Sequence, residues 1–473
     1  MAGIKSYGAY IPFHRLSRAE IAKAWGGPPG QGEKAVANFD EDSVTMAVAA
    51  SLDCVKGFNI NDIGGVFFAT TTAPYREKQS AATIAAAMGM SNNIRTVDFS
   101  NSLRGGGMAL RAAIDAVDAG SCQNVLVVCA DTRLGTPKGE REMAFGDGAA
   151  ALLIGKSDCA VEIEGTHTVS EEIFETWRAD RESIIRSWED RFVRDTGYSS
   201  ILPKTVAGAL KKFNLTPQDI SKAAFYAPDP RQLGAAAKKV GLDAKTQVQD
   251  TLFGSVGNTG TALSFMVLVA ALEEAKEGDR ILLANYGDGC DVFNLKVTKQ
   301  IEKLRDRRGI KCHLESKKML SNYMKYLLWR ELVDVEAAAR PKQAPVSMSA
   351  SWRDRDQGLA LHGSKCKRCG TPQYPVQRVC VICQAKDEFE PYAFTEHKGK
   401  IMTFSHDNLA AAIDPPSTIV TIDFDGGGRI FCDMTDRVAE EVKTGDPVEL
   451  TFRKLHYVDG VHNYWWKCAP VRC

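Results

Sequence analysis

The chain has 473 residues, 44% of them apolar and 25% charged, with Lys plus Arg equal to Asp plus Glu at 59 each. That balance gives no electrostatic case for a nucleic-acid or membrane-surface partner, and no apolar run reaches the roughly 20 residues that span a bilayer. The opening MAGIKSYGAYIPFHRL lacks the pattern of a secretory leader, so a cytoplasmic protein is expected, and it reads as a first strand followed by a turn at Pro12.

From residue 1 to about 300, strand-like and helix-like segments alternate, the order of an α/β fold. Helices are predicted over SVTMAVAASLDCVKG, SAATIAAAMG, GMALRAAIDAVDAG, KTVAGALKKFN and ALSFMVLVAALEEAKEG, and buried strands over GGVFFATT, NVLVVCAD, AAALLIG, KAAFYAP and RILLANYG. The segment GMALRAAIDAVDAGSCQNVLVVCADT resembles TALSFMVLVAALEEAKEGDRILLANYGDG in the second half. A duplicated α/β unit explains this, with the two helices meeting at a pseudo-two-fold axis; the alternative is that any two buried βα units look alike. Residues 301–349 read as a charged helical linker, 350–390 as a zinc ribbon, and 391–473 as a small antiparallel barrel of short strands separated by Gly and Asp turns.

Two motifs carry chemistry. The stretch VDFSNSLRGG, running from Val97 to Gly106, has the layout of a nucleophile elbow: a strand, a polar turn, then glycines opening a helix, with Ser102, Leu103 and Arg104 at the tip. The second is Cys366, Cys369, Cys380 and Cys383, spaced as CxxC, a ten-residue gap, and CxxC. Reduced thiols in two knuckles form the closed four-thiolate set of structural zinc, and a closed set leaves no position for Lewis-acid chemistry. Two disulfides are the competing reading. The other nine of the thirteen cysteines are scattered singly, several in apolar runs where an inert buried thiol is expected.

Taken in order, GIKSYGAYIP, VDFSNSLRGGGMAL, FGDGAAALLIG, ETWRAD with RFVRDTGYS, GNTGTAL and YGDGCDVF resemble the thiolase superfamily, on the branch of the 3-hydroxy-3-methylglutaryl-CoA synthases and ketoacyl synthase III. The C-terminal part, with CxxCG, a proline, CxxC and GKIMTFS, resembles the zinc-ribbon plus OB-fold modules that accompany acyl-CoA-processing thiolase-like enzymes. The resemblance implies a duplicated thiolase fold of α/β/α/β/α layers, acyl-CoA substrates, and a homodimer or a hetero-oligomer with a thiolase-like subunit. It also implies chemistry at the carbon–carbon bond next to a thioester carbonyl. Carried over by motif, the family's acyl-accepting cysteine falls on Leu103, its glutamate near Thr71, its histidine on Asp229, and its asparagine is kept as Asn258.

A leucine cannot hold an acyl group, so the ordinary covalent route is excluded. A one-residue slip would present Ser102, but a serine needs a base, and the histidines of this domain, His14, His167 and His313, read as surface or core. The elbow still offers backbone N–H groups at a helix N-terminus for an enolate oxygen, with Gly287 and Gly289 of the YGDG turn and the Asn258 amide as further donors. Asp229, Asp288 and Tyr75 are candidate bases, the two aspartates being equally suited to organising their turns. Arg104 and Arg231 are candidates for contacting a carboxylate on a dicarboxylic acyl group or a CoA phosphate, although a surface ion pair is the commoner fate of an arginine. The expected activity is direct thiolysis of a β-ketoacyl-CoA by free coenzyme A. Alternatives are a retro-aldol cleavage of a β-hydroxyacyl-CoA, a non-catalytic thiolase-fold subunit, and an HMG-CoA synthase, which Leu103 disfavours.

Overall fold

The computed structural model describes residues 2–336, 344–395 and 397–472, which form two compact units. The first comprises residues 1–37, 42–82 and 92–326, and the second residues 38–41, 83–91 and 327–473.

The first unit holds a nine-stranded sheet whose order exposes the duplication. One half runs Arg95–Phe99, Ile63–Ala69, Asn124–Asp131, Gly148–Gly155, Gly3–Tyr10; the other runs Val161–Ser170, Gly289–Val297, Arg280–Tyr286, Lys222–Phe225. The strand directions repeat. Gly148–Gly155 is antiparallel to both its neighbours, as Gly289–Val297 is to both of its own. Ile63–Ala69 is parallel to Asn124–Asp131, as Lys222–Phe225 is to Arg280–Tyr286. The place of Arg95–Phe99 is taken in the second half by a single bridge, Ala223↔Val248. The half-sheets join only where Gly3 and Ile4 meet Glu162 and Val161.

The helices supply the layers. Leu263–Glu274 is apolar on every side and packs against Lys222–Phe225 and Arg280–Tyr286 of one half-sheet and against Gly148–Gly155 and Gly3–Tyr10 of the other. Gly105–Asp118 packs against the first half-sheet and reaches Gly289–Val297 of the second. These two helices, the pair the internal repeat singled out, are the central layer. Ser43–Val55 covers the outer face of the first half-sheet and Tyr198–Phe213 that of the second, which completes α/β/α/β/α. Ser43–Val55 is started by a capping box, in which the Asp42 carboxylate accepts from the Val44 and Thr45 N–H groups while the Thr45 hydroxyl accepts from the Asp42 N–H.

The charged run after residue 300 corrects the expectation of a helical linker. It forms a 3₁₀ turn Lys299–Leu304, a short helix Lys311–Glu315, the two-residue strand Lys318–Met319 paired with His14 and Arg15, and the helix Tyr323–Trp329. Its charges serve as anchors. Arg305 donates to the carbonyls of Leu272, Glu273 and Ala275, capping the end of the buried helix Leu263–Glu274, and the Glu273 carboxylate accepts from the Ile310 N–H. Residues 337–343 of the expected linker lie outside the described residues.

In the second unit a three-stranded sheet (Pro372–Gln373, His362–Cys366, Phe389–Ala393) carries the cysteine knuckles. Five strands follow in the order Arg429–Asp433, Ser417–Phe424, Gly399–Asp407, Pro447–Val458, Val461–Pro470. The bridge Met434↔Cys468 returns the first of these to the last and closes a small barrel. Among the described residues, no helix is long and apolar enough to cross a membrane.

Candidate active site around Leu103

The elbow forms as the motif implies. After the strand Arg95–Phe99, Asn101 takes a left-handed conformation and Ser102, Leu103 and Arg104 lead into the helix at Gly105. The YGDG turn presses on the tip: a Cβ on Gly287, at φ +154, would lie 2.9 Å from Leu103 Cβ and 2.8 Å from Arg104 N. Only glycine leaves that room.

Leu103 stands where two cavities meet. The smaller, about 360 Å³, is lined by Thr71, Ser102, Leu103, Gly287, Asp288, Trp177 and Arg178; the larger, about 770 Å³, by Leu103, Asn258, Tyr226, Asp229, Arg231 and Arg141. Arg133 and Glu175 line both. Among the described residues no cysteine lines either cavity, nor do Tyr75, His14, His167 or His313.

The expected residues divide into those that face this space and those turned to other work. Asn258 is buried on the wall of the larger cavity, its amide donating to the Tyr226 hydroxyl (3.1 Å) and accepting from the Gly260 N–H (3.0 Å). Ser102 donates to Asp288 at 2.6 Å, a serine–carboxylate pair with no imidazole between. Arg231 opens onto the larger cavity. Three further sets of expected residues have polar groups engaged by the chain itself. Asp229 is the N-cap of the helix Pro230–Lys239: it accepts from the Arg231 and Gln232 N–H groups and from the Gln232 side chain, so its carboxylate is committed to that turn. Arg104 points inward, donating to the Val169 carbonyl and Ser170 hydroxyl and standing 3.8 Å from Asp291. The Gly287 N–H is donated to the Gly289 carbonyl, so Gly287 lines the smaller cavity with its N–H engaged in the turn, and Gly289 lies against Val169 and the Arg104 guanidinium.

Thr71, where the family's glutamate was expected, lines the smaller cavity but directs its N–H and hydroxyl to Asp131. That fully buried carboxylate accepts from the Thr70, Thr71 and Thr72 hydroxyls, the Thr71 N–H, and the Thr261 N–H and hydroxyl. It ties the ATTT loop of the first half to the GNTGT turn of the second, which fixes the floor of the site.

The residue that motif matching missed is Glu175, the first residue of ETWRAD. Burial raises its carboxyl above the ordinary 4.5, against the opposing pull of the Tyr286 hydroxyl and the Arg133 charge. Tyr286 donates to it at 2.6 Å, and burial together with that neighbouring carboxylate keeps the phenol firmly protonated. A half-buried carboxylate with a raised pKa, held by a permanent donor beside the elbow, has the properties of a general base.

In the second unit the four cysteines converge. Their sulfurs all lie within 4.8 Å of one another, with Cys366–Cys383 at 3.6 Å and Cys369–Cys380 at 3.5 Å. These separations are too long for disulfides, and they match the edges of about 3.8 Å that a tetrahedral site with metal–sulfur bonds of about 2.3 Å requires.

This duplicated fold with its elbow at the head of a central helix is that of a thiolase-superfamily acyl-CoA enzyme. Residues 97–171 match 3-oxoacyl-[acyl-carrier-protein (ACP)] synthase III, residues 210–295 match the C-terminal part of the same family, and residues 395–453 match the ChsH2 C-terminal OB-fold domain. A hydroxymethylglutaryl-CoA synthase of Thermococcus sibiricus is 33% identical over 312 residues, covering 64% of this chain and 89% of the relative. One from Aeropyrum pernix is 34% identical over 315 residues, covering 64% and 87%. An HMG-CoA synthase solved in complex with CoA superposes with a TM-score of 0.62 at 20% identity, covering 68% of this chain and 88% of that one. The 3-oxoacyl-[acyl-carrier-protein] synthase III of Aquifex aeolicus does so with a TM-score of 0.56 at 22% identity, covering 63% and 100%. The chain belongs to the hydroxymethylglutaryl-CoA synthase family, with an OB-fold domain following the thiolase-like part.

Proposed function

We propose that this chain cleaves a β-ketoacyl-CoA by direct thiolysis with free coenzyme A, with no acyl-enzyme. The observation that carries the reading is Leu103 at the junction of two cavities, with Glu175 on the wall of both and, among the described residues, no cysteine on either. Two spaces meeting at one carbon centre suit two thioester-sized arms that react with each other. Glu175 takes the thiol proton of CoA, and the thiolate adds to the β-carbonyl carbon. The Cα–Cβ bond then breaks, leaving the new acyl-CoA and a thioester enolate. The enolate oxygen is stabilised at the head of the helix Gly105–Asp118. Its carbon takes the proton back from Glu175, so two acyl-CoA products leave and the enzyme is unchanged.

A second reading uses the same base. Glu175 can instead remove the hydroxyl proton of a β-hydroxyacyl-CoA and start a retro-aldol cleavage, which needs no thiol. Incubation with matched β-keto and β-hydroxy acyl-CoAs, with and without free CoA, separates the two by mass spectrometry. Thiolysis gives two thioesters, only when CoA is added; CoA-independent release of a carbonyl compound and one thioester favours the aldol route. No turnover of any member of the panel, by the full chain alone, overturns both.

The Cys366, Cys369, Cys380 and Cys383 set holds zinc in a structural role in this reading, organising the hairpins around it and taking no part in a step. Metal analysis is expected to give about one zinc per chain, and Cys366→Ser to lose the metal and destabilise the second unit. A metal-free wild-type protein with unchanged thermal stability contradicts this.

A further inference from the structure

Thiolysis places negative charge on two oxygens in turn. Addition of the thiolate makes an alkoxide on Cβ, and cleavage then makes an enolate on the thioester oxygen. The helix head serves the second, so the first needs a donor of its own. Tyr226, directly after the strand Lys222–Phe225, is 4% exposed and lines the larger cavity together with Leu103 and Asn258. Its hydroxyl oxygen is held entirely by donors. Asn258 Oδ1 accepts from the Gly260 N–H at 3.0 Å, which fixes the amide so that Nδ2 faces the Tyr226 hydroxyl at 3.1 Å. Arg133, which can only donate, is a further hydrogen-bond partner of the same oxygen. The ring stacks on Tyr286 with centroids 6.1 Å apart, and the Tyr286 hydroxyl is itself given to Glu175. Among the described residues no acceptor takes the Tyr226 proton. Burial raises the pKa of the phenol against the pull of Arg133 and Asn258, so that proton stays on at neutral pH. A buried donor with no acceptor is costly unless a ligand supplies one.

We propose that Tyr226 is a catalytic residue whose hydroxyl donates a hydrogen bond to the β-oxygen of the substrate, with Asn258 as its positioning residue. As the CoA thiolate adds to the β-carbon, the carbonyl π pair moves onto that oxygen, and the Tyr226 bond to it strengthens without the proton leaving the phenol. When the Cα–Cβ bond breaks, the pair returns as the carbonyl of the new thioester, and the tyrosine ends as it began. The bond is stronger to the alkoxide than to the ketone, so its value appears in kcat and little in KM. The two charges are thus met in different places, the enolate at the elbow and the alkoxide in the larger cavity, with Leu103 on the wall between them.

This inference rests on the β-ketoacyl-CoA reading, and two measurements on the full chain test them separately. The first is isotope-edited infrared spectroscopy of acetoacetyl-CoA labelled with ¹³C at the ketone carbon, bound without free CoA so that no thiolysis occurs. Wild type is expected to move the ketone stretch to lower wavenumber than in solution. Tyr226→Phe, which keeps the ring and its stack on Tyr286, is expected to lose that shift. The second is steady-state cleavage with CoA added, where Tyr226→Phe is expected to lower kcat by about 10²–10³-fold, the loss that follows removal of one oxyanion donor, and to leave KM nearly unchanged. A ketone stretch in wild type equal to that in solution overturns the proposal whatever becomes of the variant, and so does a shift that Tyr226→Phe retains in full. A shift lost in Tyr226→Phe, with no cleavage by wild type when CoA is added, leaves the donor standing and overturns thiolysis. Failure of wild type to bind acetoacetyl-CoA overturns both.

Discussion

Glu175→Gln is expected to lower kcat for CoA-dependent cleavage by about 10²–10⁴-fold, the range associated with a positioned general base. Glutamine keeps the size of the side chain and can still accept from Tyr286, so the fold and the cavity are preserved and only proton transfer is lost. The pH profile gives an independent check. The active form is the carboxylate, so kcat/KM falls as pH drops through the Glu175 pKa, and burial places that limb above the ordinary carboxylate range. Arg133 pulls the pKa down, so Arg133→Met moves the limb to still higher pH. A Glu175→Gln enzyme with unchanged kcat, or an acid limb unaffected in both variants, rules Glu175 out as the base.

The second large effect concerns the second unit, where the ionic core of the barrel is completed by a distant piece of chain. Arg453, fully buried, meets Asp40 at 3.2 Å, Glu41 at 2.7 Å and Asp436 at 2.5 Å, and Lys467 meets Asp40 at 2.9 Å. Asn38 adds hydrogen bonds to Thr435 and Asp436. Burial alone would raise the Asp40 pKa, but the Lys467 and Arg453 charges outweigh it and hold Asp40 below its ordinary 3.8. Removing one partner leaves uncompensated charge in a dry interior, so Arg453→Met is expected to cost about 3–5 kcal/mol. The loss is to be read by chemical denaturation of the full chain. A depressed acid pKa stabilises the fold above the unfolded value, so this contribution disappears as pH falls through the folded Asp40 pKa, below the usual carboxylate range. The exposed pair Arg378–Asp387 is the control, since solvent screens it and Arg378→Ala should leave the midpoint nearly unmoved. Equal effects of the two substitutions would refute the account of a buried network.

Periodicity and punctuation placed most of the long elements within a few residues, because the strand NVLVVCAD and the ALSFMVLVAAL part of the central helix are buried on all sides and tolerate little else. The duplication was equally legible, since the repeated segment is the central layer itself. The polarity of the charged run after residue 300 suggested a solvated helix, whereas its Arg305 is spent on carbonyls at a helix end and its Ile310 N–H on the Glu273 carboxylate of that helix. In the site, Leu103 was readable from the order of motifs around it. Glu175 was not: it comes from an irregular loop, and only the tertiary fold brings it against Tyr286 and the elbow. Arg104 failed in the opposite way, adjacent to the elbow in sequence yet turned toward Val169 and Ser170 behind it. The Asp131 hub had a faint signal in ATTT and GNTGT, two threonine-rich turns with no hydrophobic reason to be so, but the partner that joins them becomes visible only when the two halves are folded together.

The central claim is that carbon–carbon bond cleavage proceeds here with no group covalently held by the protein. Intact-protein mass spectrometry on samples acid-quenched during steady turnover of a β-ketoacyl-CoA with CoA tests it most directly. The protein is expected to keep its unmodified mass at every time point while both acyl-CoA products accumulate. A species heavier by the mass of the acyl group, formed and consumed at the rate of turnover and mapped to Ser102 or any other side chain, would contradict it.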